Sequence, residues 1–188
     1  ETESVKAKPF LKWAGGKGQL LTEIQKYYPF ADKKITKYAE PFIGGGAVLF
    51  DVLNRYDLSE VYISDINAEL VNCYWAAQQC VEELIQALTK MQDEYLPLNH
   101  EKRREYYTEK RVRFNELKNG EKKKGDIEKA ALMIFLNRTC FNGLFRVNKK
   151  GQFNVPMGAY KNPIICDAQN LRAVSQKLKA VKIVCGDY

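Results

Sequence analysis

Histidine is nearly missing from this chain: His100 is the only one in 188 residues. One imidazole argues against Ser-His-Asp chemistry and leaves little for a hydrolytic metal site. The five cysteines, Cys73, Cys80, Cys140, Cys166 and Cys185, are odd in number and never form a C-x-x-C pair. That pattern speaks against zinc and for reduced thiols in a cytoplasmic setting. No apolar run approaches the roughly 20 residues of a membrane-spanning helix. The opening ETESVKAKPF has no apolar stretch of the kind a signal peptide carries. Internal repeats and low-complexity tracts are lacking too. The expectation is a metal-free, monomeric protein away from membranes. What the chain does have is 45% hydrophobic residues, enough for a real core, and a net charge of +7. Such a charge favours an anionic partner such as nucleic acid.

The hydrophobic periodicity divides the chain into elements. KWAGGKGQLLTEIQKYY reads as a turn and then a helix, with Leu20, Leu21, Ile24 and Tyr28 at helical spacing. KYAEPFIGGGAVLFDVL reads as strand, glycine loop and helix, and VYISD as a second strand ending in an acid. Two helices follow, the second running to Pro97. Residues 101–124 hold ten basic and five acidic side chains at helix-like spacing, which suits a solvated helix or a surface facing DNA. DIEKAALMIFLN reads as a buried helix capped by Asp126, and DAQNLRAVSQKL as an amphipathic one capped by Asp167. VKIVCGDY closes the chain as a strand. Alternating strands and helices at 37–75 and 167–188 predict an α/β sheet. The basic, helical stretch between them reads as an inserted subdomain, with a hairpin at about 145–155 around Gly151.

Two glycine clusters raise the question of a cofactor. WAGGKGQ fails the phosphate-loop pattern at both ends, with Leu11 and Gly18 where Gly and Ser or Thr belong. It remains a turn that lets backbone approach a ligand, with Lys17 able to reach a carboxylate. Gly44 and Gly46 give G-x-G after a strand, and Asp65 lies one unit on, where an acid can hold ribose hydroxyls. The third glycine of the dinucleotide fingerprint is replaced by Leu49. A plain tight turn, a nicotinamide-dependent oxidoreductase and another adenosine-bearing cofactor all stay open on these residues.

KPFLKWAGGKGQLL, AEPFIGGGAV, SDINAELVN and NRTCFNGLFRVNKKGQFNVPMGAYK, in this order, resemble the Dam-type DNA adenine-N6 methyltransferases over almost the whole chain. The resemblance implies a Rossmann-like, S-adenosylmethionine-dependent α/β sheet, present in part, with an inserted helical subdomain carrying a β-hairpin. The cofactor unit would comprise 1–75 and 167–188, and the target-recognition subdomain 76–166. By the same resemblance Trp13, Ala14 and Lys17 contact the methionine end of S-adenosylmethionine. Phe42, Gly44 and Gly46 form the loop beneath it, Asp65 holds the ribose, and Asp187 with Tyr188 lies beside the cofactor adenine. The partner is double-stranded DNA, with GATC as the implied site.

The segment 137–156 mixes apolar wedges with guanidinium and amide donors, and the resemblance makes it the DNA reader. Arg146 would read a guanine, whose O6/N7 pair suits a guanidinium fork. Arg138 and Asn142 would add phosphate or base contacts, and Phe141 and Leu144 would fill a disturbed base step. Pro156 and Tyr160 would lie at the base-reading edge, with Lys149 and Lys150 on phosphates.

The family's catalytic Asp-Pro-Pro-Tyr occurs nowhere in the sequence, nor does Asn-Pro-Pro-Tyr, so no catalytic residue is assigned. The expectation is a portion of a longer bacterial or phage enzyme that would lack most methyl transfer alone. A non-catalytic duplex-DNA-binding module is the alternative.

Overall fold

Parallel strands need long crossovers, because a tight turn can join only antiparallel neighbours. The computed structural model, which describes residues 5–121 and 123–186, follows that rule. Lys37–Glu40 (β1), Glu60–Asp65 (β2) and Lys182–Cys185 (β3) form a sheet in the order β1-β2-β3, parallel throughout. Tyr38 sits opposite Val61, and Ile63 opposite Ile183. Side chains alternate across a pleated strand. Val61, Ile63 and Ile183 accordingly point into the core, while Tyr62 and Val184 face outward and are exposed.

The expected first helix is shorter than its periodicity suggests. A 3-10 turn at Lys17–Leu20 leads into α1, Leu21–Gln25. Tyr27 and Tyr28 bond back only three residues, to Ile24 and Gln25. Pro29 disfavours helical backbone at Tyr28, and the Tyr28 hydroxyl donates to Asp51 at 2.9 Å.

Helix α2 (Ala47–Arg55) crosses from β1 to β2. The crossover from β2 to β3 is a long helical excursion through α3 (Ala68–Gln79), α4 (Val81–Tyr95), α5 (His100–Asn119), α6 (Ile127–Thr139) and α7 (Ala168–Leu178). Asn67, Asn99, Asp126 and Asp167 cap α3, α5, α6 and α7 with side-chain oxygens on backbone N–H groups. Two of these, Asp126 and Asp167, were legible as caps in the sequence. Such a cap is worth about 1 kcal/mol.

The middle of helix α6, AALMIFL, is apolar all round and is therefore buried. Ala130 through Leu136 are 4% exposed or less. It packs against α3, α4 and α5, and α3 in turn packs on α7 and β3. One cluster of buried residues runs from Ile63 through Leu70 and Tyr74 to Leu88, Phe135 and Val174. The helical excursion thus shares its core with the sheet.

Residues 145–155 double back without forming a regular ladder. Antiparallel pairing is confined to the isolated bridges Val147–Phe153 and Cys140–Met157. Asn148 N–H donates to Gln152 O at 2.9 Å and Asn154 N–H to Arg146 O at 3.1 Å. Helix α5 supplies the missing partners. Asn115 donates to Phe153 O at 3.0 Å and accepts from Phe153 N–H at 2.8 Å. Lys118 donates to Gly151 O at 2.7 Å, and Tyr107 and Arg111 both donate to Val155 O. Arg103, one further turn back, donates to the carbonyls of Tyr160 and Lys161. These residues recur every three or four positions, so one face of α5 splints the returning segment.

Candidate functional site

A cavity of about 890 Å³ opens where β1 and β2 end. Carboxyl ends of parallel strands are where open α/β sheets bind ligands. Trp13, Ala14, Lys17, Phe42, Gly44, Gly46 and Asp65 all line it. The glycines are there for geometric reasons. Gly46 has φ +80°, and a Cβ would lie 2.6 Å from the Tyr74 hydroxyl and 2.9 Å from the Phe50 ring. Gly44, at φ +52°, would place a Cβ 3.1 Å from Cδ1 of Trp13. Phe42 also takes a left-handed backbone, at φ 60°. Asp65 fastens this loop: one carboxylate oxygen accepts from Gly44 N–H at 3.2 Å and the other from Asn67 N–H at 3.0 Å. Tyr74 completes it by donating to Gly44 O at 2.9 Å.

Lys17 does not project freely. Its Nζ donates to Glu40 at 3.2 Å and to the Phe42 carbonyl at 3.3 Å. Glu40 is 7% exposed and also accepts from the Tyr38 hydroxyl at 2.8 Å. Burial pushes the Glu40 carboxyl above its ordinary range, against the opposing pull of Tyr38 and Lys17. Neither Glu40 nor Tyr38 was singled out from the sequence. The available signal was an acid at a strand end directly before Pro41 and the glycine loop.

The residues expected to read DNA divide into outward and inward sets. Phe141, Asn142, Arg146, Lys149, Lys150, Pro156 and Tyr160 are exposed. Phe141 is held by its N–H on Pro156 O at 2.9 Å, and Asn142 adopts a left-handed backbone at φ 52°. Arg146 is oriented by Asn154, with Nε donating to Oδ1 at 2.9 Å and Nη2 to the carbonyl at 3.4 Å. Leu144 is half-buried against the core.

Arg138 is half-buried, in the last turn of α6. Its Nη2 donates to Phe10 O at 3.0 Å, and desolvation lowers its pKa. Its guanidinium is partly buried at the end of α6, where it finds a carbonyl acceptor. Lys12, not foreseen, sits with its Nζ over the Tyr160 ring, 4.7 Å from the centroid. Phe145, also not foreseen, stacks on Trp13 with centroids 5.4 Å apart. That stack joins the cavity wall to the segment that carries Arg146.

Asp187 and Tyr188 lie outside the described residues. The neighbouring Gly186 N–H donates to Asp65 O at 3.0 Å, so β3 leads the chain beside the cavity's acid. Among the described residues no group of three or more His, Cys, Asp or Glu could hold a metal ion. No helix among them is long and apolar enough to cross a membrane.

Residues 13–188 match the family model described as D12 class N6 adenine-specific DNA methyltransferase. The chain is 52% identical over 186 residues to type II methyltransferase M.MjaIII of Methanocaldococcus jannaschii, covering 98% of this chain and 63% of that relative. Identity to type II methyltransferase M1.LlaDCHI of Lactococcus lactis subsp. cremoris is 38%, covering 100% of this chain and 61% of that relative. The DNA adenine methylase of Escherichia coli K12 is 33% identical, over 97% of this chain and 59% of its own length. The chain thus spans about three fifths of the length of these curated relatives.

Proposed function

The chain belongs to the D12 class of N6 adenine-specific DNA methyltransferases, and we propose that it binds S-adenosylmethionine and a short duplex site for methylation of adenine N6. The observation that carries this reading is the shared wall at Trp13. The indole lines the cavity on one side and stacks on Phe145 of the exposed reader on the other. A cofactor site and a DNA-facing segment are thereby adjacent, as group transfer between them requires.

The residues present fit such a cofactor. At about 890 Å³ the cavity is of the size that holds an adenosine-bearing ligand. Asp65 spends one lone pair of each oxygen on Gly44 and Asn67. A carboxylate has about four acceptor positions, so it can hold ribose hydroxyls without releasing the loop. Lys17 is locked by Glu40 and Phe42 O with a third N–H left for the carboxylate of the methionine end. Trp13, Ala14, Phe42, Gly44 and Gly46 supply the walls, and Asp187 with Tyr188 is assigned to the adenine. Bound there, S-adenosylmethionine would supply a methyl group on a sulfonium sulfur.

The reader's part is recognition. Asn154 occupies Nε and one N–H of Nη2 on Arg146. The Nη1/Nη2 edge is left to meet guanine O6 and N7 as a fork, a contact worth about 1–3 kcal/mol of discrimination. Lys149 and Lys150 would fix register on phosphates, with Asn142, Pro156 and Tyr160 beside the base edges. The exposed Phe141 ring would enter the base step from which adenine is extruded, with the half-buried Leu144 behind it. GATC is the site proposed. Segments 1–75 and 167–188 are assigned to the cofactor and 76–166 to DNA. The 188 residues contain no Asp-Pro-Pro-Tyr, and none is assigned a bond to the reacting amino group.

Calorimetry tests the cofactor half of this reading. S-adenosylmethionine should bind and NAD should not, and Asp65→Asn should weaken the former by tenfold or more, in line with about 1.5–3 kcal/mol for a charged hydrogen bond. Binding of NAD with no heat from S-adenosylmethionine would replace this reading with an oxidoreductase.

A further inference from the structure

Three helices grip the N-terminal arm with asparagine amides. Asn54 on α2 accepts from Ala7 N–H at 3.2 Å and donates to Ala7 O at 2.7 Å. Asn170 on α7 makes the same pair with Lys8, both bonds at 3.0 Å. Asn137 on α6 makes it with Lys12, at 2.9 and 2.8 Å. A primary amide carries donor and acceptor side by side, as a peptide does. Each asparagine therefore satisfies both backbone groups of one arm residue, as a neighbouring strand would, and the arm is held in place although it is part of no strand among the described residues.

Asn137 does something the other two do not. Its second N–H donates to Gly143 O at 3.3 Å, inside the reader. The arm and the reader also touch directly at this point. Gly143 has φ +60°, and a Cβ on it would lie 2.7 Å from Lys12 Cδ and 2.9 Å from Lys12 Cβ. The residue after Lys12 is Trp13, a wall of the cofactor cavity, and Phe145, two after Gly143, is its stacking partner. Asn137 is 4% exposed, so an amide displaced from these bonds would have no water to turn to.

We propose that Asn137 is a positioning residue that locks the cofactor wall and the DNA reader into one register, so that occupancy of the cavity and ordering of the reader are coupled through it. The proposal rests on the functional reading above. A ligand against Trp13 restricts the Lys12–Trp13 arm. Through Asn137 and the Trp13–Phe145 stack, that restriction reaches Gly143 and the loop bearing Arg146. Ordering contributed by one ligand is then not required again of the other, which makes binding cooperative.

The experiment measures duplex affinity of the full-length protein with and without saturating S-adenosylhomocysteine, the methyl-free cofactor product, and takes the ratio. Asn137→Asp keeps the shape but removes both N–H donors and sets oxygens against Lys12 O and Gly143 O. Phe145→Leu breaks the stack without leaving a buried polar group. Asn54→Ala loosens the arm where it does not touch the reader. The ratio should exceed one in wild type and fall by about fivefold in Asn137→Asp. It should fall in the same direction in Phe145→Leu and hold in Asn54→Ala. An unchanged ratio in a folded Asn137→Asp protein, or an equal fall in Asn54→Ala, overturns the proposal. If Asn137→Asp does not fold, Phe145→Leu decides in the same terms. Wild type that binds both ligands with a ratio of one overturns the proposal alone, whereas wild type that binds neither overturns the functional reading and the proposal with it.

Discussion

The indole of Trp13 and the ring of Phe145 lie stacked, with centroids 5.4 Å apart and planes 27° from parallel. One residue belongs to the glycine-rich turn, the other to the segment that carries Arg146. Phe145 is backed in turn by Phe153 at 5.7 Å and by the Lys118 ammonium at 5.6 Å. Such an aromatic pair is worth about 0.5–1.5 kcal/mol beyond its buried area. Trp13→Ala should therefore weaken S-adenosylmethionine binding and loosen the reader together. The expected affinity loss is about tenfold or more, with Trp13→Phe intermediate. Titration calorimetry gives the affinity, and amide exchange across 144–153 gives the loosening. Loss of affinity with exchange unchanged would separate the two.

Arg138 and Arg146 should respond differently to the same change. Arg138→Ala removes a bond to Phe10 O inside the protein, so it should cost stability, about 1–3 kcal/mol by urea unfolding. The salt dependence of its DNA affinity should stay as in wild type. Arg146→Ala should leave stability within about 0.5 kcal/mol, as surface changes do. It should instead lose about 1–3 kcal/mol of discrimination at one guanine. Equal loss on matched and mismatched duplexes would make Arg146 a phosphate contact.

Lys149 and Lys150 offer a second electrostatic test. Each phosphate contact contributes about 0.9 to the slope of log affinity against log salt. Replacing both by alanine should lower the slope by roughly two, with preference among sequences retained. A slope unchanged in the double variant would remove them from the interface.

Gly46→Ala should be among the more damaging single changes outside the core. The residue occupies φ +80°, and its new methyl would meet the Tyr74 hydroxyl at 2.6 Å and Phe50 at 2.9 Å. Left-handed backbone costs about 1–2 kcal/mol for a non-glycine residue, and overpacking adds about 1–3 kcal/mol. A fall in the urea midpoint of corresponding size is expected. Gly151→Ala, which also has positive φ but meets nothing within 4 Å, should cost only the backbone part.

Glu40 gives the cavity a pH signature. Burial holds its folded carboxyl above the ordinary 4.5. The folded state therefore binds this proton more tightly than the unfolded chain, and the resulting stability is fully present below 4.5. It is lost as pH rises from there through the raised value. Glu40→Gln has no such proton. The melting temperature of wild type minus that of Glu40→Gln should decline over this interval. A flat difference, or one that grows with pH, would show that Lys17 and Tyr38 outweigh burial.

How far the sequence revealed these features depended on the kind of signal. Gly44, Gly46 and Asp65 were legible because a tight loop after a strand demands glycine, and a strand-end acid is easily placed. The helix caps Asp126 and Asp167 announced themselves in the same local way. Glu40 was not legible as a site residue, since its partner Lys17 is 23 positions away and a lone acid reads as surface. Asn54, Asn115, Asn137 and Asn170 were hidden for a similar reason. A helical asparagine suggests a solvated face until the backbone it grips has been located. The bond of Arg138 to Phe10 O was not legible either, because a motif fixes a position in the chain, while packing of α6 decides which way the side chain turns. The hairpin was read from β-prone flanks around Gly151, but its hydrogen-bond partners on α5 were not legible, since no pairing pattern in 145–155 encodes them.

The most direct test is the identity of the methylated nucleoside. The full-length protein would be incubated with S-adenosylmethionine and a GATC duplex, the DNA digested, and the nucleosides resolved by mass spectrometry. The expected product is N6-methyl-2′-deoxyadenosine, formed only with the cofactor and sharply reduced by Asp65→Asn. A methyl group on cytosine, or no methylated nucleoside on any adenine-containing duplex, would contradict the proposed activity.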